Sequence, residues 1–341
     1  MVSKIKNKMK VLGGRFFRKY FPSYPYLKNI AIILLYHRVL EKTPEGLYDP
    51  GLFVTAGTFE MHLREISKYF DVVALEKLTQ SNSGEGRFCT ITFDDGWIDN
   101  YEIAFPILKK YRMPATMFLP TGKIGMNDSF WFDNLWELAN HAVRRGAEAV
   151  FIEKFHKLVR SWYPRVLSVD HLSNLTLALK YLPASTLDDL VKEAFLGLNI
   201  HPLVQKNIID WDHVSEMSQY GITFGSHGLQ HYILPTLDNG LKRKDIFESL
   251  EGLKSRGART IPFFSFPNGE WDRESLQLIC DAKYRGALTT RIGFNVPGTN
   301  PFLLNRISLH EYISNIPELL WFRIFQAMIS GSGRGKESDK R

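Results

Sequence analysis

Residues 88–97 read Phe-Cys-Thr-Ile-Thr-Phe-Asp-Asp-Gly-Trp, and this stretch decides the fold. Phe88–Phe93 is short, apolar and β-rich, as expected of a buried strand. It ends abruptly on two carboxylates and a glycine. Adjacent carboxylates repel unless a cation lies between them, and Gly96 lets the chain turn tightly. A bare Asp-Gly turn is the plainer alternative. The same grammar recurs along the chain. Ile30–Tyr36, Ala115–Leu119, Ile222–Phe224, Phe263–Phe266, Gly286–Thr289 and Leu303–Ile307 also read as strands. Helical patterns separate several of them, over Thr58–Tyr69, Asn100–Tyr111, Leu241–Arg256 and Arg273–Ala282. Alternating strand and helix predicts a parallel sheet. The polar motifs follow strand C-termini, where α/β barrels place their active sites.

The second polar motif is Gly225-Ser226-His227-Gly228-Leu229-Gln230-His231. Two histidines four apart reach one cation if the segment coils through about a turn. A histidine pair alone is often incidental, and so is a lone strand-end Asp. Combined, Asp95, His227 and His231 make a two-histidine, one-carboxylate set with open positions, suited to a catalytic divalent metal. Asp94 points elsewhere from Asp95 and is free to face a reacting water.

Thr92-Phe93-Asp94-Asp95-Gly96 and Ser226-His227-Gly228-Leu229-Gln230-His231 together resemble the first two signature motifs of the polysaccharide deacetylases, carbohydrate esterase family 4. The resemblance covers roughly residues 30–310. It implies an irregular (β/α)7 barrel, with Asp95, His227 and His231 as metal ligands and Asp94 as catalytic base. The metal expected is zinc, with cobalt, nickel or manganese as alternatives. The substrate expected is an N-acetylated sugar in a polysaccharide, oligosaccharide or lipid-linked glycan. An inactive carbohydrate-binding barrel and an amidohydrolase of non-acetyl or non-sugar amides are the alternatives.

The third family motif carries an Arg that orients the base. Here Phe264-Ser265-Phe266-Pro267-Asn268-Gly269 stands in its place, with Ser265 where the Arg belongs. Either another cation such as Arg306 takes the role, or Asp94 is tuned differently. Pro267 and Gly269 match the motif, and the resemblance makes the Asn268 N–H an oxyanion donor. The family also uses a histidine as general acid in a Leu-x-His motif. Leu35-Tyr36-His37 has that spacing, whereas His310 follows Leu309 directly. His37 is therefore preferred over His310. Trp97 and Trp131 are candidates for stacking on a sugar, although either could simply pack in the core.

The chain has 341 residues, 44% of them hydrophobic, enough for a sizeable core. From about Ser129 to Asp212 the pattern is mostly helical, which reads as an insertion between barrel strands. The formal charge is +7, yet residues 1–28 alone hold eight Lys and Arg and no acid; without them the body stands at −1. A neutral body argues against a nucleic-acid surface. Val2, Ile5, Met9, Leu12 and Phe16 recur at helical spacing among lysines, a pattern suited to peripheral contact with an anionic membrane. Gly13-Gly14 counts against that helix. No run approaches the roughly 20 apolar residues of a membrane span, and none reads as a signal peptide. A cytoplasmic location is the expectation, with peripheral attachment at the inner membrane as its variant. Residues 323–341 end glycine-rich and polar and are expected to be disordered.

Overall fold

A computed structural model describes residues 2–24, 27–46, 48–79, 86–126, 130–146, 184–197 and 207–332, with the single positions 153, 157, 179 and 182. Among these residues ten strands appear in chain order: β1 (Asn29–Tyr36), β2 (Arg38–Leu40), β3 (Phe53–Thr55), β4 (Asp71–Val72), β5 (Gly86–Asp94), β6 (Ala115–Leu119), β7 (Ile222–Ser226), β8 (Thr260–Ser265), β9 (Gly286–Leu288) and β10 (Ile307–Ser308). Eight form one parallel sheet in the order β10-β1-β5-β6-β7-β8-β9, with β4 pairing on β5, while β2 and β3 pair separately. Leu304, just ahead of β10, bridges in parallel to Leu288 of β9, so the closing segment touches both ends of the curled sheet. This is the expected (β/α)7 architecture, with the seventh strand split between two neighbours.

Central strands of a parallel sheet are covered on both faces, so they are apolar along their whole length. β1 and β5 are buried almost throughout. Buried threonines of β5, β6 and β7 satisfy their hydroxyls on neighbouring strands: Thr92 Oγ1 donates to Leu34 O at 2.7 Å, and Thr116 meets Thr223 at 2.9 Å. Such pairing removes the cost of an unsatisfied buried hydroxyl.

Register places the chemistry. Tyr36 pairs with Phe93, Leu119 with Ser226, and Leu35 with Ser308. The residues that follow these pairs, His37, Asp94 and His227, therefore leave the sheet at one end.

Within the expected insertion, the described residues form helices Trp131–Arg144 and Ala184–Gly197, and a further helix spans Trp211–Gln219; positions 129, 147–152, 154–156, 158–178, 180–181, 183 and 198–206 lie outside the described residues. The expectation of a disordered tail from residue 323 changes. A helix spans Pro317–Ser332, so 323–332 are ordered; residues 333–341 lie outside the described residues. The cause is an apolar face that continues past 323, with Leu320, Ile324 and Ala327 fully buried at helical spacing.

The N-terminal helix, Val2–Tyr20, packs on this C-terminal helix. Phe17 meets Trp321 and Phe325 at ring distances of 6.0 and 5.2 Å, and Phe21 meets Trp321 at 4.9 Å. Gly14 works differently from the expectation that it weakens the helix. A Cβ there would lie 1.7 Å from the Glu318 carbonyl oxygen, so glycine is what lets the two backbones cross. Among the described residues, no helix is long and apolar enough to cross a membrane.

Candidate metal and catalytic site

Asp94 is the last residue of β5 and Asp95 the first beyond it. Asp95 and Gly96 take left-handed backbone angles, φ 78° and 72°. This reversal separates two carboxylates that an extended strand would leave solvated. A non-glycine residue held left-handed is strained and needs surrounding structure to keep it so.

His227 follows β7, and the chain then doubles back without forming a helix. Gly228 (φ 79°) and His231 (φ 63°) make the turn. The i,i+4 spacing therefore works through a left-handed loop and not through a coil. Asp245, from helix Asn239–Ser255, clamps this loop by accepting from Gln230 N at 3.1 Å. A Cβ at Gly228 would sit 2.3 Å from Asp245 Oδ2, so the clamp requires glycine.

The outcome is a compact donor set. Asp95, His227 and His231 offer atoms within 4.8 Å of one another. Asp95 Oδ1 lies 3.3 Å from His227 Nε2 and 3.1 Å from His231 Nε2. Oδ1 is buried and has no hydrogen-bond partner among the described residues. His227 Nδ1 lies 2.7 Å from the Ser265 carbonyl, which can only accept, so Nδ1 carries the proton. Without its Nε2 proton, the state a metal ligand must take, His227 turns a lone pair toward this orphaned carboxylate oxygen. Two lone pairs facing each other in a buried site are what a cation relieves, and the residues fit a divalent metal. Asp95 Oδ2 accepts from Trp97 Nε1 at 3.1 Å, which fixes the carboxylate's rotation.

Asp94 has a different environment. Arg306 Nη1 and Nη2 donate to its two oxygens at 2.8 and 2.7 Å. Arg306 is fully buried, donates from Nε to Thr289 O at 2.8 Å, and from Nη2 to Ser265 Oγ at 2.9 Å. Ser265 Oγ in turn donates to Asp94 Oδ2 at 3.1 Å. Burial pushes the Asp94 carboxyl up, but the Arg306 guanidinium and His227 outweigh it and hold it below the usual carboxylate range. Burial likewise works against ionised Asp95, and His231 and His227 drive it well below that range.

Both carboxylates open into a cleft of about 400 Å³, lined also by His37, His227, His231, Phe130, Trp131 and Asn268. His37 is held by its backbone: Asn100 Nδ2 donates to His37 O at 2.8 Å, and Asp99 binds Arg38 and Val39 N on its far side. Burial lowers the His37 pKa, with Asp95 and Asp94 pulling the other way. His310 does not line the cleft. It precedes the short helix Glu311–Ser314, and burial with Arg323 nearby takes it down to about 4.

Three sequence expectations change. Trp97 is fully buried and bonded to Asp95, so it does not stack on a ligand in the cleft. Pro267 is buried beneath the loop, and Gly269 (φ 74°) packs its backbone on Thr290; neither lines the cleft, whereas Asn268 (φ 57°) does. Trp131 does line it, with two residues the sequence did not single out as ligands. Phe130 and Phe132 stack with nearly parallel planes, centroids 5.0 Å apart, against the His231 ring. The run Phe130-Trp131-Phe132 at a helix start was the available signal.

Comparison with known proteins places this arrangement. A family profile described as polysaccharide deacetylase matches residues 81–150 and 188–287. The chain is 33% identical over 116 residues to the Bacillus subtilis protein YxkH, covering 33% of this chain and 39% of that protein. It is 28% identical over 159 residues to the poly-beta-1,6-N-acetyl-D-glucosamine N-deacetylase of Staphylococcus epidermidis, covering 38% of this chain and 55% of that one. The matches thus span about half or less of these relatives' own length. Among solved structures, the Streptococcus pyogenes deacetylase PplD superposes with a TM-score of 0.56 at 19% identity, over 88% of this chain and 99% of that one. IcaB from Ammonifex degensii does so at 0.55 and 18% identity, over 86% and 97%. At such identities these two likenesses speak for the fold alone.

Proposed function

Because this chain belongs to the polysaccharide deacetylase family, we propose that it hydrolyses the N-acetyl group of a sugar in a polysaccharide, oligosaccharide or lipid-linked glycan. The observation that carries the reading is the division of labour between adjacent carboxylates: Asp95 joins two histidines, while Asp94 is held ionised by Arg306 and faces the same cleft.

Asp95, His227 and His231 would hold a divalent ion, most naturally zinc, with cobalt, nickel or manganese also suited to two imidazoles and a carboxylate. Such an ion polarises a carbonyl and lowers the pKa of water. Asp94 takes a proton from the attacking water as a C–O bond forms at the acetyl carbon. Arg306 keeps that carboxylate charged and aimed without blocking it from the cleft side. The Asn268 N–H, at the rim, stabilises negative charge on the acetyl oxygen. His37 supplies the proton that the sugar nitrogen needs as the C–N bond breaks; burial lowers its pKa against the pull of Asp95 and Asp94, which makes the protonated ring a readier donor. The products are acetate and a free amino sugar. The aromatic wall of Phe130, Trp131 and Phe132 gives the sugar an apolar face to rest on.

A missing motif Arg at Ser265 would favour an inactive carbohydrate-binding barrel; the contact of Arg306 with Asp94, made from a different part of the chain, supports the active reading instead.

The test is a panel of N-acetylated, N-formylated and cyclic amides, with acetate and mass change as readouts. Acetate release from N-acetylated oligosaccharides is the expected result. Turnover confined to the formyl or cyclic amides would replace the substrate. In parallel, His37→Asn is expected to lose most activity and His310→Asn little; the reverse order would reassign the acid.

A further inference from the structure

The N-terminal helix Val2–Tyr20 has two apolar faces, and the protein uses only one. Phe17 and Phe21, 2% and 0% exposed, seat it on the C-terminal helix with Gly14 at the crossing. The other face carries Ile5, Met9, Leu12, Phe16 and Tyr20, exposed by 52%, 66%, 63%, 61% and 40%. Their spacing of three and four residues draws one continuous stripe along the helix. At about 3.6 residues a turn, Lys8, Arg15 and Lys19 border one edge of the stripe and Lys6 the other, with the exposed Lys10 a step further round; Arg15 also lies 3.5 Å from Glu318 of the C-terminal helix. Between Val2 and Tyr20 there is no Asp or Glu.

We infer that this face is a docking surface for an anionic lipid bilayer, the helix lying flat with its stripe among the acyl chains and its lysines at the headgroups. Large apolar side chains left bare on a convex surface lose free energy to water and regain it on burial. The flanking charges choose the occupant. Cationic borders on both edges complement a surface of phosphate headgroups. A second copy of this chain laid on the same stripe would bring lysine against lysine. Docking on the C-terminal helix fixes the outward direction of the stripe, so the barrel is presented to the membrane in one orientation. The inference stands apart from the catalytic reading, and its test reads lipid binding and not turnover.

The experiment is sedimentation of the full chain with vesicles of phosphatidylcholine alone or mixed with phosphatidylglycerol. Binding is expected to the anionic vesicles, weakening as salt rises. The double variant Leu12→Glu, Phe16→Glu should lose that binding with an unchanged melting temperature, because both side chains are exposed. Lys6→Glu, Lys8→Glu, Lys10→Glu together should lower the partition coefficient by about a hundredfold or more. Should the double variant melt early, Met9→Glu alone serves as the second reading of the stripe. Absence of binding to anionic vesicles would overturn the inference, as would binding indifferent to stripe and lysines. A concentration-dependent dimer that the double variant dissolves would also overturn it, assigning the face to a second copy.

Discussion

Arg306 closes its guanidinium on the Asp94 carboxylate through two parallel hydrogen bonds of 2.8 and 2.7 Å, although 212 positions separate them in sequence. The bidentate fork matches both carboxylate oxygens at once and leaves them no freedom to rotate. Ser265 completes the arrangement by donating to Asp94 and accepting from Arg306. A base fixed in this way is poised for one proton path.

Replacing the fork by a point charge tests that role. Arg306→Lys should keep the metal and lower kcat by about a hundredfold, since the base loses its alignment. Arg306→Met should instead cost about 3–5 kcal/mol of stability, because it strands a buried carboxylate. Chemical denaturation and steady-state kinetics on both variants check the pair. Parent-like kcat in Arg306→Lys would remove Arg306 from the catalytic account.

Trp97 was placed by its sequence neighbours as a stacking residue, yet it reaches Asp95 from behind. Its indole N–H holds Oδ2 at 3.1 Å while Oδ1 faces the two histidines. Trp97→Phe removes that N–H and keeps most of the volume. Metal affinity should fall about ten- to a hundredfold, with turnover at saturating metal changed far less. A chelator-competition titration measures it, and equal affinities would show that Trp97 only fills space.

His62 carries a pH signature remote from the cleft. It is fully buried, with Nε2 donating to Ser314 O at 2.7 Å and Nδ1 accepting from Tyr36 OH at 3.1 Å. The Tyr36 bond needs the neutral ring, because a protonated Nδ1 cannot accept. Burial takes its pKa down to about 4 from an ordinary 6.5, the Ser314 bond opposing only in part. The unfolded chain therefore binds a proton between those values that the folded chain refuses. Stability from this group is complete above about pH 6.5, falls as pH drops toward 4, and levels below it, losing about 3 kcal/mol in all. The difference in unfolding free energy between parent and His62→Gln should shrink across that window. A difference constant with pH would contradict the assignment.

How far the sequence carried can be said residue by residue. The parallel strands were legible because a strand covered on both faces must be apolar end to end, and each ended on a polar motif. Asp95, His227 and His231 were legible because two motifs supplied complementary donors. Arg306 could be named only as a candidate to fill the vacancy at Ser265, because nothing local in the sequence ties it to Asp94. Its contact with Asp94 depends on the closing of the sheet between β9 and β1, a property of the whole fold. Trp97, Pro267 and Gly269 were misplaced for a common reason. Motif position says that a residue belongs near a site, but burial decides whether it faces the cleft or supports it. The C-terminal helix was lost because the glycine-rich end beyond it drew the boundary too early. Gly14 looked like a helix breaker because the partner backbone that needs its missing side chain lies 304 positions away, at Glu318.

The central claim is that Asp95, His227 and His231 hold a catalytic divalent ion beside Asp94. Its most direct test is to strip the chain with chelator, restore zinc in steps, and follow acetate release from an N-acetylated oligosaccharide. Release should be absent without metal, rise in proportion to metal up to one equivalent, and fail to return in Asp95→Asn. Undiminished release from the stripped chain, or from Asp95→Asn, would contradict the account.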